Sequence, residues 1–218
     1  ELFDRSNAIR MIEEMPNGDI GITTRKGGLF TYDAYFNRKM DKTYYQSNIY
    51  AMEKDAGGKL WMGTRGEGLK IGEDWYRHGK LDLTTLSNNN IFAICRDAKD
   101  RMWIGTFGGG LDLAEPASEG TYKFRHFFQG RYGVQMVRAF QEDKNGMIWM
   151  GTSEGICIFH PDSLIADPEN YHWFSHTNGK FCSNEIKCIF QDSKGRIWTG
   201  TSGMGLNLCQ PEDNYNVL

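Results

Sequence analysis

The 218-residue chain lacks most of the features that would announce a chemistry. It has no basic excess: 25 Lys and Arg against 28 Asp and Glu leave a formal net charge of −3. No electropositive field therefore points to nucleic acid or an anionic membrane as a partner of this region. No apolar run approaches the roughly 20 residues that span a bilayer. The opening ELFDRSNAIR has neither the basic nor the apolar region of a signal peptide. Any membrane attachment is expected only through segments outside this sequence. The five cysteines, Cys95, Cys157, Cys182, Cys188 and Cys209, cannot all pair within one chain and form no C-x-x-C. Free, mostly buried thiols are expected, and cysteine leaves the compartment open. No phosphate-binding GxxxxGK followed by Ser or Thr occurs, and no GxGxxG opens a helix, so no cofactor is expected.

What is present is a phrase written several times over. GRIWTGTSGMGLNL near the C-terminus answers GKLWMGTRGEGLKI and DRMWIGTFGGGLDL upstream. Aligned on Trp61, Trp103, Trp149 and Trp198, six residues back stand Asp55, Asp97, Asp143 and Asp192. Three residues back stand Gly58, Asp100, Gly146 and Gly195. Twelve back lie Ile49, Ile91, Val137 and Ile186, and ten back the small Ala51, Ala93, Ala139 and Cys188. A Gly-Thr pair follows each Trp, from Gly63-Thr64 to Gly200-Thr201. A weaker first copy keeps Ile9, Gly18, Thr24 and Leu29 but has Met15 for the Asp and Gly21 for the Trp. The five anchors near 21, 61, 103, 149 and 198 are 40 to 49 residues apart.

Each column has a physical reading. NIFAIC and EIKCIF are apolar on both faces, as in a short strand covered on both sides. Asp-x-x-Gly fits a tight turn, with Asp bonding the backbone ahead and Gly at the fourth position. RIWTGT makes a second strand, a glycine-rich turn follows, and LNLC, LKI or LDLA makes a third. KFRHFFQG and YHWFSH supply an aromatic fourth strand. Four strands in about 40 to 50 residues is one propeller blade. The expected fold is all-β: a single β-propeller region over 1–218 with about five four-stranded antiparallel blades. The small residues suit an innermost strand beside the channel, and the Trp residues, largely buried, suit the wedge between blades. In blade one a neighbouring side chain is expected to fill the space left by the Trp.

The phrase G-x-I-W-x-G-T-x-x-x-G-L, preceded by I-x-A-x-x-x-D, resembles the regulator propeller repeat of bacterial two-component sensors. That resemblance implies the extracytoplasmic, periplasmic sensing region of a membrane-anchored histidine kinase of the hybrid, Bacteroidetes type. It further implies an oligosaccharide ligand and no enzyme activity in this region, the kinase lying in C-terminal domains not included. A homodimer of the full-length protein is allowed for. Family sensors carry seven-bladed propellers, and seven blades at this spacing need about 310 residues. The chain is therefore read as a piece of a larger propeller; a five-bladed ring closed by pairing ELFDRS with NYNVL is the alternative.

No catalytic residue and no metal site is expected. His172 and His176, in a strand, lie about 13 Å apart, too far for one zinc. EDKNG and RDAKD lack the alternating ligands of a calcium loop. The sialidase Asp-box needs Gly two and an aromatic five residues after Asp, against three and six here. A virginiamycin-lyase-like enzyme, which shares the G-x-I-W phrase, would need a His/Glu metal site, and His160 is the only histidine close behind a third strand. A scaffold for another protein is a further alternative. Ligands are expected on the face carrying the second-to-third-strand turns, where the sequence varies: Arg25-Lys26, Arg65 to Glu67, Phe107 to Gly109, Ser153-Glu154 and Ser202 to Met204. The residues singled out for ligand binding are Arg65, Glu67, Asn88 and Phe107, with Arg65 as a charged donor and Phe107 as a stacking surface. Asn48, Asn90 and Asn184 are read as turn caps.

Overall fold

The computed structural model describes residues 8–25, 27–39, 48–179 and 181–215. Its strands fall into five antiparallel sheets, each taken in chain order. Blade one comprises β1 (Ile9–Glu14), β2 (Ile20–Thr24), β3 (Leu29–Tyr32) and β4 (Arg38–Lys39). Blade two comprises β5 (Ile49–Lys54), β6 (Leu60–Thr64), β7 (Leu69–Ile71) and β8 (Asp74–Tyr76). Blade three comprises β9 (Ile91–Arg96), β10 (Met102–Thr106), β11 (Leu111–Pro116) and β12 (Tyr122–Phe127). Blade four comprises β13 (Val137–Glu142), β14 (Ile148–Thr152), β15 (Ile156–Phe159) and β16 (His172–Phe174). Blade five has β17 (Ile186–Gln191), β18 (Ile197–Thr201) and β19 (Leu206–Cys209) among the described residues. One six-residue helix, α1 (Pro161–Ala166), bridges β15 and β16. The closing strands read in ELFDRS and at the end of NYNVL lie outside the described residues, as does Lys26; Asn214 and Tyr215 belong to a single 3-10 turn instead.

The Asp-x-x-Gly turns form as the spacing requires. Gly58, Gly146 and Gly195 take φ of 79°, 76° and 77°, and Asp100 stands in the same left-handed state at 61°, which Asp tolerates better than most residues. The leading carboxylate does more than cap. One oxygen of Asp97 accepts from the backbone N–H of Lys99 and Arg101, and the other accepts from Trp103 Nε1 at 3.0 Å. Trp61, Trp149 and Trp198 donate likewise to Asp55, Asp143 and Asp192 at 3.1, 2.9 and 3.0 Å. Blade one lacks both partners, and Met15 turns its thioether into the space over Gly21.

Blades stack through two contacts. Three of the indoles reach an aromatic ring beyond their own blade: Trp61 meets Tyr122, Trp103 meets Phe159 and Trp149 meets Tyr215, at 4.8, 5.4 and 6.1 Å between centroids. Beside each of them the glycine of the Gly-Thr pair lies under the leading Ile or Val of the next first strand. A methyl on Gly63, Gly105 or Gly151 would run into Ile91, Val137 or Ile186. Only glycine allows that approach.

The same seam is missing at the two ends. Ile9 is 58% exposed, whereas its equivalents Ile49, Ile91, Val137 and Ile186 are buried. Leu206 is 69% exposed, whereas Leu69, Leu111 and Ile156 are buried. Gly200 meets only Cys188 and Leu206 of its own blade. Among the described residues, then, Ile9 is not seated on Gly200, and the five blades make an open arc. Trp198 accordingly departs from the expected burial: it is only partly covered, with no following blade packed on it among the described residues, and it lies beside the Arg196 guanidinium at 5.2 Å. Trp61, Trp103 and Trp149 are fully buried.

The five thiols are free; Cys95, Cys157 and Cys209 are buried, while Cys188 is exposed in the channel wall. Burial pushes the Cys95 thiol up to about 12.

Candidate functional site

The first strands were expected to be covered on both sides, and they are not. They stand side by side around a channel, and β17 is open over half its length. Every first strand also carries a bulge against the second strand at one equivalent place. The register jumps from Ile49↔Thr64 to Ala51↔Gly63, from Ile91↔Thr106 to Ala93↔Gly105, and from Val137↔Thr152 to Ala139↔Gly151. Blades one and five jump between Ile9 and Met11 and between Ile186 and Cys188. The skipped residues are Arg10, Tyr50, Phe92, Arg138 and Lys187. A bulge re-aims the side chain of its extra residue, and all five line one cavity of about 790 Å³ with the small Ala51, Ala93, Ala139 and Cys188 behind them.

These side chains form a connected band around the channel mouth. Arg10 lies 3.4 Å over the Tyr50 ring and donates to the Tyr50 hydroxyl. Tyr50 meets Phe92 at 4.3 Å, and Phe92 stacks on Phe107 at 4.9 Å with planes 29° apart. The Arg138 guanidinium covers Phe107 at 5.1 Å and reaches Ser153 Oγ at 2.9 Å. Glu185 then takes both Arg138, at 3.0 Å, and Lys187. The Lys187 hydrogen bond, with weaker help from Ser202 and Arg138, holds the Glu185 carboxyl below its usual range.

The turns above the band are held by the constant threonine. Thr64 and Thr106 Oγ1 donate to the carbonyls of Gly68 and Gly110 and accept from the N–H of Glu67 and Gly109. Rigid turns place Phe107 without the entropy of a free loop. Of the four residues singled out in sequence, Phe107 belongs to the band. Arg65 stands exposed on the rim, its N–H bonded to the Asn48 carbonyl at 2.9 Å. Glu67 sits at the exposed tip of the same turn and does not line the cavity. Asn88 Oδ1 accepts from Asn90 N–H at 2.8 Å, so it is occupied in shaping its own loop. Asn184 Oδ1 accepts from the His176 N–H, in keeping with a cap. Asn48 and Asn90 do not show a cap: Asn48 Oδ1 is buried without a partner among the described residues, and Asn90 donates to Asn88 instead.

Charge changes sign along the channel. Arg10, Arg138 and Lys187 ring the mouth, and three positions further along the strands, about 10 Å away, Glu13 and Glu53 line the same cavity. Burial and then the Glu53 charge push the Glu13 carboxyl up. Among the described residues no group of three His, Cys, Asp or Glu could hold a metal ion. His160 caps α1, its ring nitrogen accepting from the Asp162 N–H at 3.3 Å. The band was missed in sequence because its column varies while its neighbours do not. A position that is always large, between a residue that is always β-branched and one that is small in blades two to five, was the available signal.

Five antiparallel blades stacked around a channel define a β-propeller. The family model described as "Two component regulator propeller" matches residues 85–108, 132–154 and 180–203, the first two strands of blades three, four and five with their entering loops. These three stretches match the two component regulator propeller repeat. Among solved structures it is similar to the extracellular domain of a candidate one component system of B. thetaiotaomicron. That match has 21% identity and a TM-score of 0.61, over 93% of this chain and 36% of that one. The extracellular domain of a candidate hybrid two component system of B. thetaiotaomicron gives 21% identity and 0.50, over 93% and 33%. Virginiamycin B lyase from Staphylococcus aureus gives 10% identity and 0.61, over 92% and 69%. At these identities the likeness is one of fold. The chain spans about a third of the length of the two extracellular domains. No curated protein sequence matches it. No helix among the described residues is long and apolar enough to cross a membrane.

Proposed function

We propose that this propeller is the ligand-binding part of the periplasmic sensing region of a two-component histidine kinase, and that it binds an oligosaccharide at the channel mouth. The band from Arg10 to Lys187 carries the reading. It places partly exposed aromatic faces beside fixed cationic donors around a cavity of about 790 Å³, large enough for a short glycan. Ring faces suit the C–H surface of a sugar, and guanidinium and ammonium groups suit its hydroxyls. The extracellular domains to which the chain is similar support the compartment. The repeat columns are spent on blade packing, so they argue for no reaction.

A glycan array followed by calorimetry on the 218-residue chain tests this. Saturable binding of an oligosaccharide, lost in Phe92→Ala with the melting temperature kept, is the expected result. Turnover of a polysaccharide or a lactone antibiotic by the purified chain would replace the sensor reading with an enzyme.

A further inference from the structure

The cations of the channel mouth are not equivalent. On the side of blades four and five, Arg138 and Lys187 both pair with Glu185, which offsets one of their two charges. On the side of blades one and two, Arg10, Arg25 and Arg65 gather, and among the described residues no carboxylate pairs with any of them. Arg10 is thrust into the channel by its bulge, and its Nε is buried with no hydrogen-bond partner among the described residues. Arg25, on the second-to-third turn of blade one, is tied through its N–H to the Ala8 carbonyl at 2.7 Å and lines the cavity. Arg65 occupies the matching turn of blade two. Burial lowers the affinity of Arg10 for its proton; Tyr50 works against this, and the like charges of Arg25 and Arg65 add to it. Arg10 and Arg25 line the cavity and Arg65 stands on the rim beside them; like charges on one rim repel, and an anion between them would relieve that repulsion.

We propose that Arg10, Arg25 and Arg65 form a subsite for an anionic substituent of the ligand, a carboxylate or a sulfate ester, whose sugar ring stacks on the adjoining Tyr50–Phe92–Phe107 surface. Planar guanidiniums bind such groups with paired, charge-assisted hydrogen bonds. The inference rests on the oligosaccharide reading for the sugar and stands on its own for the anion. It makes the preferred ligand an acidic glycan rather than a neutral one.

Two arms test it on the 218-residue chain. Inorganic sulfate, followed through the arginine Nε–H NMR signals, should give a saturable response at Arg10, Arg25 and Arg65. The double variant Arg25→Gln with Arg65→Gln should abolish that response; both side chains are exposed, so the fold is retained. In the second arm a galacturonate tetrasaccharide, its carboxyl-reduced counterpart and a sulfated disaccharide are compared by calorimetry. The uronate or the sulfated sugar should bind roughly tenfold or more tighter than the reduced form, an advantage that the double variant loses and that salt weakens. Preference for the uronate names a carboxylate as the anion, and preference for the sulfated sugar names a sulfate ester. Equal binding of charged and reduced glycans, or an acidic preference that survives the double variant, overturns the subsite and leaves the oligosaccharide reading standing. A saturable sulfate response without glycan binding keeps the anion subsite and removes that reading. No response to either overturns both.

Discussion

Asp97 and Trp103 are joined side chain to side chain: the carboxylate accepts from the indole N–H at 3.0 Å while its other oxygen holds two backbone N–H groups of the turn. One residue thereby fixes the hairpin between the first two strands and the rotamer of the ring that packs on the next blade. Local turn and inter-blade stacking are not independent in this fold. Asp97→Ala takes the acceptor from four donors, the Lys99 and Arg101 N–H, Arg101 Nε and Trp103 Nε1, and should cost about 3–4 kcal/mol, and Trp103→Phe about 1–2 kcal/mol. The double variant should be more stable than the sum by about 1 kcal/mol, read from urea unfolding of the four proteins. Strict additivity would show that the two groups act separately.

Sequence columns carried most of the fold because each marks a position under a narrow physical demand. The glycine after the Trp admits the next blade, the fourth turn residue takes a positive φ, and the indole fills the wedge. What the columns could not show was the bond between two of them, although Met15 and Gly21 hinted at it by changing together in blade one. The site was less legible. Arg65, Glu67 and Asn88 stood out as varied loop tips, but loop tips vary for want of constraint as readily as from function. Phe107 alone entered the band. Arg10, Tyr50, Phe92, Arg138 and Lys187 stayed hidden because a bulge breaks the two-residue alternation by which facing side chains are read.

The open ends give the glycine seam a direct test. Gly105→Ala would push a methyl into Val137 and Phe140 of the neighbouring blade and should cost about 2–3 kcal/mol. Gly200→Ala meets the Cys188 sulfur of its own blade, which can turn away, and should cost less than about 1 kcal/mol. Thermal unfolding of both variants decides it. Equal losses would mean that a further blade or a second copy covers Gly200 in solution.

Asp112 should make stability depend on pH in an unusual direction. It is fully buried, takes the Ser87 N–H at 2.9 Å and leaves its other oxygen unpaired, with His126 Nε2 4.0 Å away. Burial raises its carboxyl to about 6 from an ordinary 3.8. The folded state therefore binds this proton more tightly than the unfolded state does. Its contribution is greatest below about pH 4, falls as pH rises to about 6, and stays lost above. Asn207 holds the Cys182 N–H at the matching place in blade five, so Asp112→Asn should keep the loop. The variant should gain about 1–2 kcal/mol at pH 8 and little at pH 4, by urea unfolding at the two values. A variant less stable than the parent at pH 8 would show that the ionised carboxylate stabilises the loop.

The central claim is that the ligand is met at the channel mouth, by the five bulge residues with Arg25 and Arg65 beside them, and not by the outer strands. Backbone amide shifts recorded while an array-selected oligosaccharide is titrated into the chain test it most directly. The largest changes are expected at Arg10, Tyr50, Phe92, Arg138 and Lys187, with Phe107 beside them. Changes concentrated instead at the outer cleft between Trp75, Tyr76 and Tyr122, with the bulges silent, would contradict it.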